Sequence, residues 1–437
     1  MASGITVGID IGTTSVKALA VDGEGTIVSR ARIPHDIHAP SVDVFEHDAT
    51  QAWVEGPRRA LDELAVTDFD GLTVATMVPS CTAVDADGIP LTPGLLYGDY
   101  RGRAGRNEAD LLNSKEFRSM FEWTARQAPG AHGYWTAPAV AYAALGGAPV
   151  IDIGTAFALA PLWDGEWNAE NLAAIGARPE QMPTIVADFD VAGRIGSAVH
   201  GCGLADAWAE ATVAGINAPG DVMVICGTTL IVWCVMPGPA LVPGMWTIPH
   251  PLGELTILGG ASNAGAMFVN WARRAFGAPT SDARPTEVPL FVPYLKGERT
   301  PVHDIDLRAS IHGLDIGHDA AAITRSAYEA SAFVARRLIE LSGVERTRIV
   351  ASGGGTHDEQ WMRALADCTG LPVDVVAVPE GAALGAAWRA RVVAGLDENN
   401  DVVRWAKPSD RRYDPHPAWV GPCEDRYQRW LALAATG

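Results

Sequence analysis

One turn occurs twice. Gly12-Thr13-Thr14 and Gly227-Thr228-Thr229 stand about half a chain length apart, and each is bracketed by strand-like runs. Ile5 to Asp10 alternates toward a buried face, and Val16 to Val21 reads as a second strand. After Asp22-Gly23-Glu24-Gly25 a third strand runs from Thr26 to Ile33. In the second half Asp221 to Ile225 is an apolar strand, and Leu230 to Val235 is its partner. The tripeptide alone is weak; the flanking strands carry the argument. One supersecondary unit repeated at half-length predicts an α/β chain of two similar domains facing each other. A chain of 437 residues is also too long for one ordinary hydrophobic core. The expected division is an N-terminal domain over 1–213 and a C-terminal domain over 214–437. The meander also excludes two common nucleotide folds, because Walker and Rossmann loops need a helix directly after their glycines.

The turns carry groups suited to phosphate. Asp10 ends the first strand beside Gly12, where a carboxylate can hold Mg²⁺ through water next to nucleotide phosphates. Thr13 and Thr14 can donate hydroxyl and amide hydrogen bonds to phosphate oxygens. Taken alone, a hairpin capped by an aspartate is the plainer reading. Gly227, Thr228 and Thr229 can grip phosphates from the opposite side. Gly353-Gly354-Gly355 precedes a helix start and can let an adenosine moiety approach the backbone closely; a tight turn is its plainer reading. Together the three glycine sites predict a clamp between two domains. Asp206, thirteen residues before Pro219, could accept the proton of an attacking hydroxyl, although in isolation it is only a polar residue at a helix start. Asp99-Tyr100-Arg101 could bind substrate hydroxyls, with a solvated loop as the default. Glu298-Arg299-Thr300-Pro301 reads as an ordered loop with room for a buried Glu–Arg pair. His35, His38 and His47 lack metal-ligand spacing and receive no role. Two helices are well marked: one capped by Asp319 and ending near Gly343, and one opened by a capping box at Thr356 and stopped at Gly370.

The formal charge of −19 repels nucleic acid and anionic membrane surfaces, so neither is an expected partner. It does not exclude a nucleotide whose charge is offset by Mg²⁺ and backbone amides. The six cysteines form no C-x-x-C pair and are expected to be reduced, mostly buried thiols of a cytoplasmic protein. The start enters a strand at once, leaving no room for a signal peptide, and no apolar stretch reaches membrane-spanning length.

In this order the pieces resemble the FGGY family of carbohydrate kinases, nearly end to end and most closely its xylulokinase-like members. Val7 through Lys17 resembles the first phosphate motif, and Asp99-Tyr100-Arg101 the D-x-R after an apolar strand, with Tyr97 where Trp is usual. Asp206 falls at the position of the family's base. Gly227-Thr228-Thr229 matches the second phosphate motif, and Phe291 to Pro301 the P-Y-x-x-G-E-R-x-P loop. Ser352 to Gly355 resembles the adenosine motif, and Glu380 to Ala387 the late helix signature.

The resemblance implies an actin-like fold of two ribonuclease-H-like domains with a nucleotide cleft between them, and domain closure over MgATP and a carbohydrate alcohol. It implies Asp206 as catalytic base and Asp10 as metal holder. Gly12, Thr13, Thr14, Lys17, Gly227, Thr228, Thr229, Gly353, Gly354 and Gly355 would bind the cofactor, and Asp99 and Arg101 the substrate. Two departures fall on the acceptor side. Met77-Val78-Pro79 stands where xylulokinases carry Q-M-H, so Val78 and Pro79 would meet the sugar without the hydrogen bonds of His. The segment from about Trp123 to Ile151 is much shorter than in typical members. The expected activity is phosphorylation of a pentulose such as xylulose at a primary hydroxyl. Glycerol, a tetritol, a hexulose or a sugar acid are the alternatives, as are an ATP-binding regulatory relic and an actin-like assembly protein. A homodimer is expected only because relatives often form one.

Overall fold

A computed structural model describes residues 4–41, 43–103, 115–250, 255–277, 279, 281–304, 306–346, 348–376, 380–406 and 411–434. The chain divides into two compact units: Met1–Gly215 with Glu380–Ala406, and Ile216–Pro379 with Lys407–Gly437. The first cut lies two residues from the one expected after 213. The segment 380–406, which the sequence assigns to the second half, instead completes the first unit.

The first unit opens with the expected meander: β1 (Thr6–Ile11), β2 (Ser15–Val21) and β3 (Ile27–Pro34). Every residue of β1 is buried, as a central strand requires, whereas β3 alternates toward solvent through Val28, Arg30 and Arg32 and ends at Pro34, as suits an outer strand. Helix α1 (Gly56–Leu64) packs on β2 and β3, and β4 (Gly71–Thr76) pairs parallel with β1. The sheet order is Gly193–Ile195, Ala198–His200, β4, β1, β2, β3, with Leu204–Ala205 also paired to β4. That last short strand runs into helix α2 (Asp206–Val213). Full burial of side chains such as Val7, Ile9 and Leu72 contributes about 1.5–3 kcal/mol each to this core.

The second unit repeats the plan with β5 (Asp221–Cys226), β6 (Leu230–Pro237) and β7 (Leu255–Ser262), followed by helices α3 (Ala266–Phe276) and α4 (Ala320–Ser342). Then come β8 (Arg348–Ser352), helix α5 (Glu359–Thr369) and β9 (Val373–Val375). The order β7-β6-β5-β8-β9 matches β3-β2-β1-β4 of the first unit, with the fourth strand parallel to the first in each. This is the repeated unit that the two turns predict, in the ribonuclease-H-like plan that the resemblance implies. Asp319 caps α4 by accepting from the Ala322 amide at 3.0 Å, and Gly343 ends it at φ 70°. The cap of α5 is Asp358 rather than Thr356, because the Asp358 carboxylate reaches the Gln360 and Trp361 amides while the Thr356 hydroxyl turns back to the Gly353 carbonyl.

Helix α6 (Gly381–Val393) returns to the first unit for a steric reason. A Cβ on Gly385 would lie 1.8 Å from the Ala209 carbonyl oxygen, and one on Gly8 would lie 1.9 Å from that of Ala383. The Thr6 hydroxyl donates to the Ala387 carbonyl at 3.0 Å. The small residues of the helix thus bring it to backbone distance from β1 and α2, which larger side chains would forbid. A final helix, α7 (Pro417–Ala434), packs on α5 in the second unit. All six cysteines are unpaired and buried. Among the described residues no helix is long and apolar enough to cross a membrane.

Candidate active site

The hairpin register sets the first group of charges. Asp10 and Lys17 are direct partners across β1 and β2, and Lys17 Nζ lies 3.0 Å from Asp10 Oδ2. Asp10 is buried, and its other oxygen, Oδ1, has no hydrogen-bond partner among the described residues. Asp206 opens α2, where its Oδ1 accepts from the Ala207 amide at 2.7 Å. Burial first, and then the Asp10 carboxylate, push its pKa up to about 7; Glu210, one turn along α2, adds to this and Lys17 opposes it. Lys17 in turn is held above its ordinary value, chiefly by Asp10, with Glu210 and Asp206 contributing. Four charged groups of the first unit therefore share one field. A carboxyl half-ionised near neutrality is what a general base requires. The unsatisfied Asp10 oxygen suits a divalent cation or a water bound to one, since a buried carboxylate oxygen without a donor is otherwise costly.

Behind this pair the Gly12 turn is fastened by its carbonyls. The His47 ring is fully buried, and its Nε2 donates to the Thr13 carbonyl at 2.8 Å. Its Nδ1 accepts from Trp53 Nε1 at 3.1 Å, so both ring positions are assigned and the ring is neutral. Burial pushes His47 down to about 4. The His35 amide donates to the Thr14 carbonyl at 3.1 Å, and the His35 ring stands edge-on to His47 with centroids 4.4 Å apart. The Thr13 hydroxyl lies 3.4 Å from that of Tyr97. Thr14 is exposed and Thr13 half-buried.

Tyr97 leads into the Asp99–Arg101 segment. The Arg101 guanidinium donates to both Asp99 oxygens through Nε at 3.1 Å and to Oδ2 through Nη2 at 2.7 Å. It also pairs with Glu46, which His38 meets at 2.9 Å from the other side. The Trp123 ring lies under the guanidinium, 4.4 Å from its centroid. Asp99 further accepts from the Phe45 amide at 3.0 Å. Arg101 is thus matched to two carboxylates, which the sequence reading did not anticipate for Glu46. Val78 is half-buried and Pro79 buried, and neither offers a side-chain donor or acceptor.

In the second unit the other two glycine sites meet. A Cβ on Gly353 would approach the Cys226 backbone to 2.9 Å, and one on Gly355 would lie 2.8 Å from Cys226 Cβ and its carbonyl oxygen. The Gly227 turn and the glycine run therefore form one surface. Gly353 has φ +84°, a conformation that favours glycine. Gly354 is exposed, and a Cβ there would meet nothing within 4 Å. The turn's carbonyls are again fastened, here by a helix start: the Ala266 amide donates to the Gly227 carbonyl at 2.8 Å and the Met267 amide to that of Thr228 at 3.1 Å. Glu298, in the loop before Pro301, is buried and held by the Ser262 hydroxyl at 2.8 Å and the amides of Asn263 and Arg299. Burial pushes it up to about 7.

Among the described residues, Glu329, Cys368 and Cys423 also have ligand-like spacing, with donor atoms within 4.8 Å of one another. It is poorly suited to a cation. Arg426 takes both Glu329 oxygens, Arg325 shares one of them, and each guanidinium lies 3.7 Å from Cys423 Sγ. Sequence spacing did not single out His47, Glu46 or Glu210. The contacts of the first two span 34 and 55 positions, beyond any local pattern.

Known proteins fit this geometry. Residues 5–120 match the model of the N-terminal domain of the FGGY family of carbohydrate kinases, and residues 222–394 match that of its C-terminal domain. The xylulose kinase of Escherichia coli K12 is 25% identical over 90% of this chain and 91% of its own length. The gluconokinase of Bacillus subtilis 168 is 23% identical over 94% and 91%. Among solved structures, a kinase described as a xyloylose kinase from Brucella ovis superposes with a TM-score of 0.84 at 25% identity, covering 99% of each chain. Both halves of the family are thus matched in order, on a fold with the same strand plan in each half. The chain belongs to the FGGY family of carbohydrate kinases and is a phosphotransferase of that class.

Proposed function

We propose that this kinase transfers the γ-phosphoryl group of ATP to a primary hydroxyl of a small neutral carbohydrate, with a pentulose such as xylulose as the first candidate. The observation that carries the proposal is the placement of Asp206 in one field with Asp10 and Lys17. In the proposed reaction Asp206 takes the hydroxyl proton as the oxygen bonds to the γ-phosphorus. The bond from that phosphorus to the β-phosphate oxygen breaks, and ADP leaves. Asp10 would hold Mg²⁺ through water, and the ion would offset phosphate charge. Gly12, Thr13, Thr14 and Lys17 in the first unit would receive phosphates, as would Gly227, Thr228 and Thr229 in the second. Gly353, Gly354 and Gly355 would receive the adenosine part, for which the open space at Gly354 leaves room.

Two observations favour a neutral acceptor over a sugar acid. Arg101, the cation of the expected acceptor motif, is already matched to Asp99 and Glu46. Val78 and Pro79 would add only an apolar wall. Xylulose kinases among the relatives support a pentulose, while a gluconokinase at similar identity keeps sugar acids in the test. The deciding experiment is ADP release over a panel of pentuloses, polyols, hexuloses and sugar acids, with Asp206→Ala beside the wild type. Pentulose-dependent ADP release, lost in Asp206→Ala with ATP binding retained, is expected. Wild-type-like turnover in that variant removes Asp206 from the mechanism, and ATP binding without turnover on any acceptor favours a regulatory relic.

A further inference from the structure

The two Gly-Thr-Thr turns are fastened alike by different means. A carbonyl oxygen carries partial negative charge, so a turn that receives phosphate must hold its carbonyls away from the ligand. In the second unit the first amides of α3 hold Gly227 and Thr228. In the first unit a helix again follows the third strand, but among the described residues the donors to the Thr13 and Thr14 carbonyls come from the stretch between β3 and α1 and not from the first amides of that helix. There the Thr14 carbonyl is held by the His35 amide and the Thr13 carbonyl by the His47 ring. His47 is fully buried, so the Thr13 carbonyl points into the protein.

We propose that His47 is a positioning residue for phosphoryl transfer: its Nε2–H fixes the Thr13 peptide so that the turn presents N–H and hydroxyl groups, not carbonyls, to the nucleotide phosphates. Trp53 secures the arrangement. Its indole N–H occupies Nδ1, so the ring proton stays on Nε2, where the carbonyl needs it. Without that bond the buried Thr13 carbonyl loses its donor, and the peptide is free to turn toward a ligand it repels. The inference rests on the ATP-dependent reading above. It assigns His47 no contact with substrate and no proton transfer.

The test uses the full chain with His47→Leu, which removes the donor, and His47→Gln, whose side-chain amide restores one. Steady-state kinetics with ATP and the best acceptor are measured beside thermal unfolding. For His47→Leu, kcat/KM for ATP should fall by roughly 10- to 100-fold, the cost of a slightly misplaced reactive group, with acceptor KM within about twofold. His47→Gln should recover most of the loss. Leu kinetics like the wild type, or ATP and acceptor parameters falling together without recovery in His47→Gln, would overturn the inference. A wild type that turns over no acceptor with ATP overturns the functional reading instead, so the two failures are distinct. If His47→Leu does not fold, His47→Gln alone decides: near-normal kinetics support the inference, and a loss in kcat/KM for ATP as deep as that of Asp10→Ala overturns it.

Discussion

Asp10 and Lys17 face each other across one rung of the first hairpin, and the 3.0 Å contact between them leaves one buried Asp10 oxygen unused among the described residues. Lys17 also draws Asp206 toward ionisation. Lys17→Met removes a cation that opposes protonation, so the Asp206 pKa should move up from about 7 and the acid limb of kcat should shift to higher pH. Activity at pH 7 should fall about fivefold for the first unit moved and about tenfold for each further unit. Profiles of kcat between pH 5.5 and 9 for both proteins measure it, and an acid limb that stays in place refutes the coupling.

Asp206 should also cost stability. Its folded value of about 7 lies above its ordinary 3.8, so between these values the folded chain binds a proton that the unfolded chain has released. Stability contributed by this site is therefore present at low pH and lost as pH rises through the folded value. Asp206→Asn cannot titrate and keeps the oxygen that accepts from Ala207. It should match the wild type near pH 4 and exceed it by about 1–2 kcal/mol at pH 8, while kcat falls by roughly 10²–10⁴-fold. Urea unfolding at both pH values checks this. Equal stability at pH 8 would show that Asp206 is ionised without cost.

Much of this site was legible because its parts are local. The strands around Gly12 and Gly227 alternate or run apolar over a few residues, and turn chemistry separates them, so sequence reading placed them within two residues. Asp319 and Gly343 follow from capping rules that need no tertiary context. Helix α6 gave no such lead. It is buried on nearly every side, so no polar face marks which unit it joins, and only the backbone approach at Gly8 and Gly385 decides that. The sequence draws no attention to Glu46, and His47 receives no role there because it lacks metal-ligand spacing. Their partners are Arg101, His38, Thr13 and Trp53, and most of these contacts exist only after the sheet has formed.

Two glycines should separate packing from ligand contact. Gly8→Ala places a Cβ 1.9 Å from the Ala383 oxygen and 2.3 Å from the Ala387 nitrogen, both main-chain atoms that cannot rotate aside. It should cost about 3 kcal/mol or more, or prevent folding. Gly354→Ala meets nothing within 4 Å and should change stability by less than about 0.5 kcal/mol. If adenosine approaches that open backbone, the added methyl should still raise KM for ATP severalfold. Melting temperatures and ATP kinetics of the two variants give the comparison, and an unchanged KM in Gly354→Ala would move the adenosine site elsewhere.

Glu46 offers a test of acceptor charge. Asp99 and Glu46 set two carboxylates against the one Arg101 guanidinium, with the His38 ring beside Glu46, so acidic groups outnumber guanidinium groups among the described residues of this cluster and oppose a carboxylate acceptor. Glu46→Gln keeps an oxygen to accept from Arg101 and removes that surplus. One charge at several ångströms, in the intermediate screening near a protein surface, amounts to about 1–2 kcal/mol. The ratio of kcat/KM for gluconate to that for xylulose should therefore rise about tenfold, with xylulose turnover little changed. A ratio that stays fixed would place Arg101 and its partners away from the acceptor, and the preference for neutral sugars would then have to come from Val78, Pro79 or the shortened segment after Trp123.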